Sequence, residues 1–318
     1  KGLFVSPAVL KVSGIEEMEE EIFGPVLHVA TFEAKDIDKV VDSVNAKGYG
    51  LTFGIHSRVD RRVDRIASRI KVGNTYVNRN QIGAIVGSQP FGGEGLSGTG
   101  PKAGGPQYVR RFMKGNTVEV PAQSGGKSVD AKKLQSLIGK LDSLKTQKPN
   151  DRMALLKPIF GDLPAPLDAH AEEMPGPTGE LNRLTNHARG VVLCLGPDQA
   201  TALEQAGVAL SQGNKVVVVA PGVEAKVSEA AKAGLPIVGI DGQLEPEALA
   251  TANGFEAVVS CAQQELLRDY RQALAKREGA LLPLITEHRL DQRFVIERHL
   301  CVDTTAAGGN ASLIAASE

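Results

Sequence analysis

Cysteine is scarce in this sequence, and the three that occur, Cys194, Cys261 and Cys301, stand far apart. None forms a C-x-x-C pair, so neither a disulfide framework nor a zinc site is expected, and a reducing compartment is the default. Charge of one sign is missing too. Lys and Arg number 36 against 37 Asp and Glu, which removes the basic footprint of a nucleic-acid binder. No apolar run reaches the roughly 18 residues of a membrane span, and the opening Lys1-Gly2-Leu3-Phe4 does not begin a signal peptide. Position 1 also lacks Met, and the sequence starts as if inside a domain. A piece of a longer polypeptide is therefore expected.

What is present is a 42% hydrophobic share over 318 residues, enough for about two domains with sizeable cores. Ile37, Val40, Val41 and Val44 recur at helical spacing between Asp36, a candidate cap, and Gly48. Leu51–His56 reads as a strand. Ser57 then reads as the cap of a helix with the stripe Val59, Val63, Ile66 and Ile70, stopped at Gly73. Asn74–Asn78 is the next strand. Thr117–Val120 alternates before Pro121, as an edge strand would, and Ala122–Lys127 resembles a linker. Leu134, Leu137, Ile138, Leu141 and Leu144 mark another amphipathic helix. From Gly190 onward, apolar runs start near Val191, Val216, Ile237, Val258 and Leu281, each separated by a helical segment. Runs without alternation suit parallel strands buried on both faces, so the second half reads as a doubly wound α/β domain.

The stretch Gln81–Gly105 holds nine glycines in 25 residues, and Gly93, Gly95 and Gly98 spell G-x-G-x-x-G. A dinucleotide loop needs a strand just before and a helix just after these glycines. Here Thr99-Gly100-Pro101 follows, so no helix can start, and Pro101 stands where a phosphate-loop Lys would be. A free surface loop is the plain alternative, but Ile82, Ile85, Val86 and Phe91 are apolar for one. The favoured reading is a buried irregular loop that offers backbone N–H groups to a ligand, with glycine permitting close approach.

Two segments carry a resemblance. Glu20-Glu21-Ile22-Phe23-Gly24-Pro25-Val26 is similar to the E-E-x-F-G-P motif of the aldehyde dehydrogenase superfamily. The run Gly73–Gly105, with GNTYVNRN, QPFGGEGLSG and GPKAGGP, resembles the subgroup oxidising L-glutamate γ-semialdehyde, above all the dehydrogenase half of the bifunctional proline-utilization flavoenzymes. Arg298–Leu313 is similar to the C-terminal tail of those proteins. The resemblance implies an α/β fold: the C-terminal part of a catalytic domain (1–114), a flap strand and linker (115–127), a second doubly wound Rossmann-like domain (128–300) and a tail or lid (301–318).

It also implies roles. Glu21 matches the carboxylate that accepts hydrogen bonds from the nicotinamide ribose hydroxyls of NAD, and Phe23 the aromatic beside that ribose. Gly83 and Ala84 match the loop whose amides anchor the substrate's α-carboxylate. Phe91 matches the aromatic lining the aldehyde's aliphatic part. The family chemistry needs a nucleophilic Cys well before E-E-x-F-G-P. No cysteine precedes Cys194, and Cys301 reads as a buried strand residue. The nucleophile, most of the NAD fold and an FAD-bearing proline dehydrogenase domain would then lie in a preceding part of the same polypeptide. That preceding part, the semialdehyde and a second copy in a homo-oligomer are the expected partners, with no nucleic acid. A cytoplasmic location is implied, with contact to the inner membrane through the proline dehydrogenase part.

The second half resembles a worn copy of an aldehyde dehydrogenase NAD-binding domain. VVLCLGP (191–197), ALSQGNKVVVVAP (209–221), AVVSCA (257–262) and PLITE (283–287) keep its order. The departures fall on functional positions: Asp198-Gln199 for Trp-Asn, Ala220 for Lys, Cys261-Ala262 for Gly-Ser, and His288-Arg289-Leu290 after Glu287. A domain that kept its sheet and lost its cofactor is expected. The alternative to an enzyme portion is thus a non-catalytic docking module that helps close a path between two active sites, with the turn Ala306–Asn310 as its lid.

Overall fold

The computed structural model describes residues 2–113, 126–144, 149–167, 172–287 and 291–305. The expected flap strand Thr117–Val120, the residues His288–Leu290 and the lid Ala306–Asn310 lie outside these.

The N-terminal half begins with β1 (Ala8–Lys11) and β2 (Val26–Val29), paired in parallel. Helix α1 (Ile37–Ala46) follows, with Asp36 at its N-cap position and Gly48 beyond its end at φ 78°. The Asp36 side chain pairs with Lys39 at 2.9 Å rather than with a backbone amide. Next come β3 (Tyr49–Gly50), β4 (Thr52–Ile55), α2 (Asp60–Ala67) and β5 (Asn74–Val77). Two expectations need correction here. The N-cap of α2 is Val59, without a side-chain cap. Ser57 is instead held by Asn78, whose Oδ1 accepts from Ser57 N and whose Nδ2 donates to Ser57 O. Gly73 does not stop α2, which ends at Ala67. A Cβ there would collide with the Gly92 carbonyl, so close backbone approach is what requires glycine. The two-residue strand β6 (Glu94–Gly95) pairs antiparallel with β3.

The C-terminal half opens with β7 (Ser128–Val129) and α3 (Ala131–Asp142), whose cap Asp130 accepts from Lys133 N. It continues through α4 (Pro149–Phe160), β8 (Glu172–Met174), β9 (Glu180–Ala188), β10 (Val191–Cys194) and α5 (Gln199–Ser211). Then follow β11 (Lys215–Val219), α6 (Glu224–Lys232), β12 (Ile237–Ile240), β13 (Gln243–Leu244), α7 (Pro246–Thr251) and β14 (Ala257–Val259). Last are α8 (Gln264–Ala275), β15 (Leu284–Ile285) and β16 (Val295–Asp303).

Strands β12-β11-β10-β14-β15 form one all-parallel sheet. Val192, Cys194, Val216 and Val218 face α4, α5 and α6, whereas Leu193, Leu195, Val217 and Val219 face α3, α7 and α8. Burial on both faces explains why these strands are apolar throughout. The doubly wound reading is correct.

A second sheet joins the halves in the order β4-β5-β16-β9-β8. Strand β16 runs parallel to β5 and antiparallel to β9. It continues to Asp303, across the 300/301 border expected for the tail. Its residues alternate: Leu300 and Val302 join the core of α1 and α2 with Val41, Val63 and Ile66, while Glu297, His299 and Cys301 are buried on the other side. The C-terminal half thus completes the core of the N-terminal half. Val302→Ala is expected to cost roughly 1–3 kcal/mol and to reduce amide-exchange protection of Tyr76 and Val77. Unchanged protection at those two amides would refute the dependence.

Candidate functional site

The segment after β5 is held by polar side chains rather than by regular structure. Asn78 adopts φ 56°, a conformation Asn tolerates better than most residues, and its bonds to Ser57 turn the chain out of the sheet. Both feet of the following loop then reach one carboxylate, Glu180 on β9. Arg79 forms an ion pair with it, and Gln89 Nε2 donates to its Oε1 at 2.8 Å. Burial would raise this carboxyl, but hydrogen bonds from Asn182, Gln89 and Arg79 outweigh burial and hold it below the ordinary range.

Between these feet, Ile82 N donates to Asn80 Oδ1 at 3.3 Å and Ile85 N to Gln89 Oε1 at 3.1 Å. The two amides between them, Gly83 and Ala84, donate to no group among the described residues. The loop is not buried within this chain, contrary to the expectation: Ile82 is 90% and Val86 94% exposed. Glycine at 83 has no steric cause inside the chain, since nothing lies within 4 Å of a Cβ placed there. Phe91 is half-buried and bridges Ala103, each accepting the other's N–H. Glu21 and Phe23 lie apart, in the coil before β2, and Phe23 is 89% exposed. No hydrogen bond or ion pair among the described residues joins them to the loop.

The G-x-G-x-x-G match has its own explanation. A Cβ on Gly93 would strike Ser97, on Gly95 the Gly48 carbonyl, and on Gly98 the Gly93 carbonyl. Gly95 also sits at φ 63°. Close approach within the turn and to the Gly48 carbonyl is what requires these glycines.

Beneath the turn lies a polar layer that sequence reasoning missed. Lys102 is 2% exposed; its Nζ donates to Asn74 Oδ1 at 3.0 Å and to the Gly92 carbonyl. Its backbone N donates to Glu297 Oε2 at 2.8 Å. Burial pushes the Lys102 ammonium down to about 8 and the Glu297 carboxyl up. Arg298 pairs with Glu94 at 2.9 Å on the neighbouring edge. The only signal in the sequence was the alternation Val295, Glu297, His299, Cys301, which places three polar residues on one strand face.

All three cysteines are buried, and burial raises each thiol, Cys301 to about 11 despite the Arg79 donor. At the carboxyl ends of β10 and β11 a small pocket, with about 10 Å³ free, lies between Leu195, Pro197, Pro221 and Tyr270. Gln205 binds both the N–H and the carbonyl of Gly196 and reaches Cys261 Sγ. Asp198 caps α5 on Thr201 N at 2.8 Å, placing a carboxylate where a pyrophosphate would need amides.

Residues 1–118 match the family model described as "Aldehyde dehydrogenase family", and this segment belongs to that family. Over 98% of its length the chain is 39% identical to "Bifunctional protein PutA" of Salmonella typhimurium, and it spans 24% of that relative. Residues over 37% of the chain are 45% identical to a "1-pyrroline-5-carboxylate dehydrogenase" of Geobacillus sp., covering 23% of it. A solved structure of Proline Utilization A from Corynebacterium freiburgense aligns with 90% of the chain and 26% of its own length, at TM-score 0.50 and 20% identity. This last likeness concerns the fold. The chain therefore spans about a quarter of the length of the bifunctional relatives it matches.

Two tests follow from this geometry. Gly95→Ala should cost roughly 2 kcal/mol or more from forced φ and collision, whereas Gly83→Ala should change stability by about 0.5 kcal/mol or less; urea unfolding that ranks them the other way would contradict the assignment. His299 and His187, driven down to about 4 chiefly by burial, give a second. As pH falls below 6.5, the unfolded chain takes up protons first, so stability present above about 6.5 is lost toward pH 4. Across that window His299→Gln should lose roughly 3 kcal/mol less than wild type. Parallel stability–pH curves for the two proteins would rule this out.

Proposed function

We propose that this chain supplies the substrate-anchoring end of an NAD⁺-dependent L-glutamate γ-semialdehyde dehydrogenase acting in proline breakdown. The observation that carries the reading is the pair of Gly83 and Ala84 amides. Among the described residues they donate to no group, while the amides of Ile82 and Ile85 on either side are tied down. Adjacent donors held in place but unused suit a carboxylate, which accepts several hydrogen bonds. Ile82, Ile85, Val86 and half-buried Phe91 offer apolar surface beside them, as a short methylene chain requires. The curated relatives named as a 1-pyrroline-5-carboxylate dehydrogenase and as PutA support this substrate class.

Glu21 and Phe23 are exposed and fit a role at the nicotinamide ribose, the carboxylate accepting from the diol and the ring packing beside it. NAD⁺ would supply the hydride acceptor. The attacking thiolate, and an FAD-dependent proline dehydrogenase unit, would come from a preceding part of the same polypeptide. The C-terminal half acts in this reading as a non-catalytic support. Gln205 and Asp198 bond backbone groups at its crevice, and its Glu180 fixes both feet of the anchor loop.

In the full-length polypeptide, Ala84→Pro removes one donor and should raise KM for the semialdehyde by about tenfold or more with a smaller effect on kcat. An unchanged KM would refute the anchor. Glu21→Ala should instead impair NAD⁺ use or the single-turnover hydride step. If both stayed at wild-type values, that assignment would fail.

A further inference from the structure

A second polar site lies on the seam between the halves, away from the anchor loop. It is a cleft under the turn Gly100-Pro101, with about 30 Å³ free inside. Four arginines line it: Arg110 and Arg111 from the N-terminal segment, Arg189 from the β9–β10 turn, and Arg293 just before β16. Their charges are not balanced. Glu287 serves two of them, Arg111 at 2.8 Å and Arg293 at 3.3 Å. Glu297, the one carboxylate in the lining, already accepts the Lys102 N–H on Oε2. Arg110 is exposed, and its side chain has no hydrogen bond or ion pair among the described residues. Among the described residues Arg189 donates only to carbonyl oxygens, Arg293 O at 2.6 Å and Thr99 O at 3.4 Å. Burial, together with Arg293 and Arg111, lowers its guanidinium to about 10, with Glu256 and Glu94 opposing less strongly. A desolvated guanidinium beside two like charges is costly unless a counter-charge joins it.

We propose that this cleft binds one small oxyanion, a carboxylate or phosphate group, held by Arg189 and Arg293 from the C-terminal half and Arg110 from the N-terminal segment. The free space suits such a group. Planar guanidinium forks match the geometry of both anions. Because donors come from both halves, the anion ties residues 107–111 to the β9–β10 turn and to the start of β16. Binding therefore stabilises the seam by linkage.

The 318-residue chain would be titrated with sodium phosphate and, separately, with sodium glutamate, at ionic strength fixed by sodium chloride. Calorimetry and thermal melting are the readouts. The expected result is saturable binding with a saturating rise in Tm for at least one anion. Phosphate alone would identify a phosphate-type ligand, and glutamate a carboxylate. Arg110→Gln, at an exposed position outside the packed core, should weaken that binding by about tenfold. Arg189→Gln should abolish the response, yet be at least as stable as wild type without anion, since it removes a desolvated charge that makes no ion pair among the described residues. Two results would overturn the proposal: no saturable response to either anion beyond sodium chloride, or wild-type affinity in Arg110→Gln.

Discussion

Strand β16 is the member on which the rest depends. It enters between β5 of one half and β9 of the other, and a strand in that position must satisfy two different environments. Leu300 and Val302 fill the core above α1 and α2, and Glu297, His299 and Cys301 carry the polar layer beneath the glycine turn. A shift of one residue would exchange the two faces, burying charge in the apolar core and placing its apolar pair in the polar layer. The register is therefore strongly specified, and it places Glu180 of the paired β9 where Arg79 and Gln89 meet it.

That arrangement explains how an exposed loop can keep a defined shape. Its ends are fixed by charge-assisted hydrogen bonds to one partly buried carboxylate, and its interior amides by Asn80 and Gln89. What remains free is a short run of donors. In the C-terminal domain, Gln205 binds both backbone groups of Gly196, and Asp198 caps α5 at the carboxyl end of the sheet. Its sheet persists because both faces are packed, independently of any ligand.

Much of this was legible in the sequence. The five uninterrupted apolar runs gave the parallel sheet, since burial on both faces leaves no room for alternation. Glu20–Pro25 and Gly73–Gly105 gave the family. The seam between halves was not legible, because the pairing of β16 with β5 joins residues more than two hundred positions apart and leaves no local pattern. Lys102 was hidden in a glycine-rich run, and only its burial against Asn74 and Glu297 reveals its part. Ser57 and Gly73 were misread as helix punctuation because a local rule was applied where a long-range contact decides: Asn78 holds the serine, and the Gly92 carbonyl excludes any side chain at 73. The apolar residues of the anchor loop were rightly noticed, but their cover is not supplied by the described residues of this chain.

The most direct test is a crystal structure of the full-length polypeptide with L-glutamate, the proposed product, bound. The α-carboxylate should lie within hydrogen-bond distance of the Gly83 and Ala84 amides, with Phe91 beside the methylene carbons. Glutamate bound in the active site with its α-carboxylate held by other groups, and those two amides still unpaired, would contradict the account.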